Sequence, residues 1–213
     1  RLRPRRGRRR EGGLSPVTPI QRLAIVNRGE AAMRCIRAVK ALRTLEGQDI
    51  QVIALYTDPD RDAPFVRHAD TAVRIHSKAG AVAAYLDHDG LIAALRRCEA
   101  DAVWPGWGFV AEDPVFVDRL KSAGIRFLGP SAAAMRALGD KITSKLLAEK
   151  AGVPVTAWSG GALSDPDHAL AEAERIGFPV VIKATAGGGG RGIRVVHTAA
   201  DLPAAFRSAG SEA

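Results

Sequence analysis

The residues best equipped for chemistry lie in one stretch, 178–192, which reads FPVVIKATAGGGGRG. An apolar run ends at Lys183. Four consecutive glycines follow (Gly187, Gly188, Gly189 and Gly190), and Arg191 and Gly192 lead into a second apolar run. Glycine reaches left-handed backbone conformations without steric cost and lets backbone N–H groups approach a ligand closely. Successive N–H groups in such a run form a concavity for anions. A lysine at its edge adds a compact positive charge for phosphate oxygens. Polyphosphate binding is one reading of these residues; a flexible hairpin tip, with Lys183 an ordinary strand-end lysine, is the other.

A second candidate is Gly139-Asp140-Lys141. Aspartate suits the cap of a helix, and Lys141 in the first turn could reach a phosphate brought near. On its own the triplet reads first as a solvated lysine. Neither stretch is a P-loop, because no Lys-Ser or Lys-Thr opens a helix after the glycines. After the first apolar run stands Arg28-Gly29-Glu30 where a dinucleotide fingerprint would need GxGxxG, so a nicotinamide enzyme is a poor reading. No serine sits in a G-x-S-x-G context, and His68, His76, His88, His168 and His197 are scattered without metal-ligand spacing. Cys35 and Cys98 lack CxxC spacing and read as buried, reduced thiols, which points to a cytoplasmic protein.

The elements that must position these residues alternate. Residues 22–27 form a short apolar run, followed by Ala32, Cys35, Ile36, Val39 and Leu42 at helical spacing. Strands are expected at 50–56, 71–75, 102–104 and 125–128, with helices at 87–98 and 112–122. This rhythm implies an α/β fold with a parallel sheet covered on both faces. Ligands in such sheets sit at the carboxyl ends of the strands. Those ends carry Asn27-Arg28-Gly29, Asp58-Pro59 and Pro105-Gly106-Trp107-Gly108. After residue 130 the pattern changes. Ser131 and Asp140 are expected to cap two consecutive helices, the second running to Lys150. A helix near 166–176, strands at 179–184 and 193–196, and a helix over 199–213 complete the chain.

Composition sets the outer limits. The 213 residues carry a net charge of +8, but residues 1–11 (RLRPRRGRRRE) hold seven arginines and one glutamate, which leaves +2 for the rest. An arginine run of this kind could touch phosphates of nucleic acid or of a membrane. Without interleaved aromatics or a basic helical stripe it reads instead as a solvated, disordered leader or an upstream translation artefact, so neither nucleic acid nor membrane is expected as a partner. No apolar run approaches the roughly 18 residues of a membrane span, and two cysteines exclude a disulfide framework.

Four segments in order, NRGEAAMRCIRA, PGWGFVAEDP, FLGPSAAAMRALGDKITSKLLAEKAGVP and GFPVVIKATAGGGGRGIRVV, resemble the biotin carboxylase component of biotin-dependent carboxylases, an ATP-grasp family. The likeness covers about residues 22–197. It implies a Rossmann-like parallel-sheet pre-ATP-grasp domain (20–138), after a disordered tail (1–19), followed by an incomplete ATP-grasp domain with its glycine-rich lid (139–213). By the same resemblance Lys141 and Lys183 contact the ATP phosphates, and the run Gly187, Gly188, Gly189, Gly190, Arg191 and Gly192 closes over them. The implied chemistry is activation of bicarbonate by ATP as carboxyphosphate, then transfer of the carboxyl group to biotin on a carrier domain. A carboxyltransferase domain and a homo-oligomer are the implied partners, with Arg34 and Arg37 on the first helix either at the subunit interface or on a solvated face.

The resemblance also sets limits. The Mg²⁺ ligands and the residues that hold bicarbonate and biotin lie beyond residue 213 in this family. Glu112, Asp113, Glu172 and Glu174 match no metal position. No catalytic residue and no metal site are therefore assigned within these residues, and the fragment alone is expected to be inactive. Trp107, where free-standing subunits usually have tyrosine, together with AVWPGWG and AWSGGAL, looks more like the large fused acetyl-CoA carboxylases of fatty acid biosynthesis. The same component of a pyruvate, propionyl-CoA or urea carboxylase, and carbamoyl-phosphate synthase with its similar ATP-grasp motifs, are the near alternatives. NRGE and the wording around GDK favour a biotin enzyme over the synthase. A non-catalytic ATP-binding or assembly module is the alternative of a different class.

Overall fold

The structure is a computed structural model that describes residues 18–185 and 192–212. The arginine tail and most of the glycine run, Gly187 to Arg191, lie outside the described residues. Contacts divide the chain into two units. The first is built from the chain up to Ala111 together with Arg119–Gly129, and the second from Glu112–Asp118 and the chain from Pro130 on.

The first unit begins with β1 (Arg22–Ile25), whose Leu23, Ala24 and Ile25 are all buried. A strand buried on both faces reads as a continuous apolar run, as central parallel strands do. Helix α1 (Gly29–Glu46) follows, with Ala31, Ala32, Cys35, Ile36 and Val39 along one buried stripe. It ends at Gly47, whose left-handed backbone (φ 66°) lets its N–H donate to the Arg43 carbonyl. Burial pushes the Cys35 thiol up to about 12. The unit continues with β2 (Gln51–Tyr56), the short helix α2 (Pro64–His68), β3 (Thr71–Arg74), α3 (His88–Arg97) and β4 (Ala102–Trp104). Helix α4 (Pro114–Ser122), whose residues are divided between the two units, and β5 (Arg126–Phe127) come next.

The five strands form one parallel sheet in the order β3-β2-β1-β4-β5. Leu23, Ile25, Val52, Ala54 and Ala102 share one face with Ala32, Ile36, Val39 and Phe65 in a single core. Ala24, Ile53, Leu55 and Val103 alternate with them and are buried on the other face. The order turns around between β1 and β4, which makes that junction the topological switch point.

The second unit contains α5 (Ala132–Gly139), α6 (Lys141–Lys150), α7 (Pro166–Ile176), β6 (Val180–Lys183), β7 (Ile193–Val196) and α8 (Leu202–Ser211). Both expected caps are made: Ser131 Oγ accepts from Ala134 N–H at 3.1 Å, and Asp140 Oδ1 from Thr143 N–H at 2.7 Å. Strands β6 and β7 pair antiparallel, with Val181 opposite Val195 and Lys183 opposite Ile193. One face of this pair carries Val180, Ile182 and Val196, which pack with Ala169 and Ala173 of α7 and Leu202 and Phe206 of α8.

Element boundaries differ from the sequence reading in identifiable places. The helix expected over 112–122 starts at Pro114, because Asp113 Oδ1 accepts from the N–H groups of Val115 and Phe116 and caps it. The last strand of the parallel sheet shortens to Arg126–Phe127. The final helix opens with a single 3₁₀ turn over Ala199–Asp201 before α8 proper. Helix α2 falls between the strands expected at 50–56 and 71–75, where no element was expected. Phe65 makes it an element, since its fully buried ring belongs to the core of the sheet.

Candidate functional site

At the switch point of the first unit the carboxyl ends of β1 and β4 are joined by one side chain. Asn27 is buried, and its Nδ2 donates to the carbonyl oxygens of Pro105 (2.7 Å) and Trp107 (2.9 Å). Its Oδ1 accepts from Arg28 N–H at 2.8 Å. The loop it grips needs glycine at position 106. The backbone there has φ 64°, and a Cβ would lie 2.8 Å from the Trp104 ring and 2.9 Å from Asn27 Nδ2. Trp104 and Trp107 meet edge to face with ring centroids 6.5 Å apart, and Trp107 is exposed at the rim.

Arg28 does not reach into this rim as a free cation. Its Nε and Nη2 donate to Asp60 Oδ2 (2.7 Å) and Oδ1 (2.5 Å), a two-bond pair that raises the guanidinium pKa. Tyr85 donates to the Leu55 carbonyl at 3.0 Å, and burial pushes its phenol up. Asn27, Arg28 and Asp60 therefore shape the rim by holding loops. The sequence reading placed these loops at the rim but attached no role to Asn27 or Asp60. The available signal was a polar residue directly after a fully apolar strand.

In the second unit one candidate lysine reaches the chain two residues beyond the other. Lys183 ends β6 and is exposed. Lys141 opens α6, and its Nζ donates to the Thr185 carbonyl at 3.2 Å, two residues beyond Lys183. The Lys141 ammonium group thus meets the chain at Thr185, just before the glycines in sequence. At the run's far end Gly192 is buried with φ 64°, and a Cβ there would lie 2.6 Å from the Ala184 Cβ and 3.0 Å from the Ala209 carbonyl. The Ala184 N–H donates to the Gly192 carbonyl at 2.9 Å, so the two ends of the run are paired.

A feature the sequence reading missed lies beside Lys183. The face of the β6–β7 pair that turns away from α7 and α8 carries Val181, Ile193 and Val195, all exposed. An apolar strip next to a lysine suits a flat ring joined to an anionic tail. Trp158 serves the scaffold: its Nε1 donates to Glu149 at 2.7 Å, and Lys145 Nζ lies 5.0 Å from the ring centroid.

Two of the four acidic residues noted in the sequence are engaged in structure. Asp113 caps α4, and Glu172 pairs with Arg175 at 2.7 Å. Among the described residues no group of three His, Cys, Asp or Glu side chains is arranged to hold a metal ion, so these residues do not fit a Mg²⁺ site. Nor, among the described residues, is any helix long and apolar enough to cross a membrane.

Comparison with known families resolves the kinship. Residues 19–135 match the model of the biotin carboxylase N-terminal domain.

The chain belongs to the biotin carboxylase family.

Residues 140–213 match the ATP-binding domain of the carbamoyl-phosphate synthase L chain, the ATP-grasp part of the same arrangement. A pyruvate carboxylase component of Methanothermobacter thermautotrophicus is 41% identical over 192 residues, covering 90% of this chain and 38% of that protein. Biotin carboxylase of Pseudomonas aeruginosa is 40% identical over 184 residues, covering 86% and 39%. Among solved structures, a biotin carboxylase–β,γ-ATP complex from Campylobacter jejuni superposes with a TM-score of 0.82 at 40% identity, covering 91% of this chain and 42% of that one. The biotin carboxylase domain dimer of Hydrogenobacter thermophilus 2-oxoglutarate carboxylase, solved with MgADP, ADP and bicarbonate, gives 0.82 at 35% identity. The fold is thus the mixed α/β arrangement of biotin carboxylases, with a partial ATP-grasp portion. The chain spans about two-fifths of the length of these biotin carboxylases.

Proposed function

We propose that this chain forms the nucleotide-binding front part of a biotin carboxylase. ATP activates bicarbonate as carboxyphosphate, releasing ADP, and the carboxyl group then passes to N1′ of biotin with release of phosphate. The observation that carries this reading is the Lys141–Thr185 contact. It brings the Lys141 ammonium group to the carbonyl two residues beyond Lys183, where the sequence runs on into the glycines. In this reading both lysines neutralise phosphate oxygens, and Gly187 to Gly190, Arg191 and Gly192 supply the backbone cradle. The exposed strip of Val181, Ile193 and Val195 accepts the adenine ring. Carboxyphosphate is lost to water in an open site, so covering it is part of the chemistry.

Mg²⁺ would neutralise the polyphosphate. Among the described residues no ligand set for it is arranged. Working domain limits are 20–138 and 139–213, after a tail over 1–19. The ends of the two family matches, at 135 and 140, support that division, although the contacts group α5 with the second unit. A biotin carboxyl carrier domain, a carboxyltransferase domain, a homo-oligomeric assembly and a cytoplasmic setting complete the proposal. For the acceptor, Trp107 and the wording around Trp158 support a fused acetyl-CoA carboxylase. Relatives named for pyruvate, methylcrotonoyl-CoA, urea and propionyl-CoA lie at 38–41% identity, so identity does not separate acceptors.

The test is to read the frame downstream of codon 213 and express the whole frame. The protein should cleave ATP in a manner that depends on bicarbonate and biotin, and Lys183→Ala should lower that rate at least about tenfold, the loss of one charge-assisted phosphate contact. ATP cleavage indifferent to both co-substrates would overturn the proposal.

A further inference from the structure

A cleft of about 440 Å³ opens in the first unit where β2 and β3 end. Thr57, directly after β2, lines it, together with Arg74 at the end of β3 and His76 and Lys78 just beyond. The carboxyl ends of parallel strands are where such sheets hold ligands. Thr57 is only 5% exposed, and among the described residues its hydroxyl has no hydrogen-bond partner. Buried hydroxyls are normally paired, so this one leaves a donor for a group from outside the chain. The charges lining the cleft point the same way. Arg74 is paired with Asp58, which also takes Arg61 at 3.4 Å. Lys78 is exposed and has no carboxylate partner among the described residues.

The wall that carries these groups is held by its own contacts. The Ser77 hydroxyl donates to Asp87, and its oxygen accepts from the Ala79 N–H at 3.1 Å. Asp87 is fixed in turn as the cap of α3, where it accepts from the N–H groups of Asp89 and Gly90. The Ala84 N–H closes on the Gly80 carbonyl at 2.9 Å. The Arg74 carbonyl accepts from Arg97 Nη2 at 2.7 Å. We propose that this cleft, built entirely from the first unit, is a phosphate-binding site. Lys78 supplies the charge, the Thr57 hydroxyl donates to a phosphate oxygen, and His76 offers a ring N–H. Arg74 stays with Asp58 and shapes the wall. Ala81 and Ala84 line the remainder of the cleft, which leaves room for the organic part of a small phosphate monoester.

The experiment titrates the whole, isotope-labelled chain with inorganic phosphate at constant ionic strength and follows its amide NMR signals. Chloride is the control, and propyl phosphate forms a second arm. The amides of Thr57, Ser77, Lys78 and Gly80 should shift saturably with phosphate and not with chloride. Lys78→Ala should raise the Kd about tenfold, the loss of one charge-assisted contact. Thr57→Val keeps the shape and removes the hydroxyl. It should raise the Kd about fivefold without lowering Tm, because the hydroxyl has no partner to lose. Tighter binding of propyl phosphate than of phosphate assigns the site to organic monoesters, and equal binding assigns it to the free ion. Lys183→Ala should leave these shifts in place, which separates this site from the nucleotide site of the second unit. Shifts of the same size in chloride, an unchanged Kd in Lys78→Ala, a Thr57→Val variant that loses Tm but not affinity, or loss of the shifts in Lys183→Ala would overturn the proposal.

Discussion

Arg28 and Asp60 are locked together by two hydrogen bonds, Nε to Oδ2 at 2.7 Å and Nη2 to Oδ1 at 2.5 Å, and the Asp60 side chain is only 9% exposed. The pair ties the chain leaving β1 to the loop after β2 at the carboxyl ends of the strands. Removing the arginine strands a nearly buried carboxylate. Arg28→Ala should therefore cost about 2 kcal/mol. Arg61→Ala, which breaks the exposed pair with Asp58, should cost less than about 0.5 kcal/mol. Urea denaturation of the two variants checks this, and equal losses would contradict it.

Gly106 and Gly108 share a positive φ but differ in space. A Cβ at Gly106 meets the Trp104 ring and Asn27 Nδ2 below 3 Å, whereas at Gly108 nothing lies within 4 Å. Gly108→Ala should cost about 1 kcal/mol, the left-handed penalty alone. Gly106→Ala adds a clash and should cost about 3 kcal/mol. It should also release the Asn27 amide, visible as a shift of its side-chain NMR signals. A smaller loss at Gly106 than at Gly108 would refute the packing argument.

Asp70 gives the first unit an acid-sensitive contact. The hydrogen bonds from Arg43 hold its carboxyl below the ordinary 3.8, helped by the Val52 N–H and opposed by partial burial. A depressed folded-state value stabilises the protein above the ordinary value, and that contribution is lost as pH falls through the lower, folded one. Asp70→Asn should thus be less stable than the parent at pH 7, and the gap should close as pH falls below 3.8. Denaturation midpoints from pH 7 to pH 2 decide the matter. A gap that widens in acid would reverse the sign.

Helix α6 buries none of its ten residues, and Leu146 and Leu147 are exposed on it. Local stability follows buried apolar contacts. Its amides should exchange at least about a hundredfold faster than those of β1 and β2, whose central positions are fully buried. Hydrogen exchange by mass spectrometry resolves the two regions. Equal protection would mean that α6 is stabilised by contacts beyond those this chain makes itself.

Much of the architecture was legible beforehand, and for local reasons. Parallel central strands must be apolar on both faces, so 22–25, 51–56 and 102–104 stand out as continuous runs. Caps are written in single residues, and Ser131 and Asp140 do what their side chains suggest. The short helix at Phe65 was not legible. Five residues carry too little periodicity, and only its place against the sheet makes it an element.

The candidate nucleotide site divides in the same way. The amino-acid sequence alone determined that a lysine, four glycines and an arginine stand between two apolar runs, because that chemistry is local and contiguous. Lys141 stood with them by resemblance alone, and only the tertiary structure shows its Nζ on the Thr185 carbonyl, 44 residues along the chain. The open strip of Val181, Ile193 and Val195 was hidden for a related reason. Val180, Val181 and Ile182 are all apolar, so no alternation marks a face. Which of them meets α7 and α8, and which is left bare beside Lys183, depends on where those helices pack.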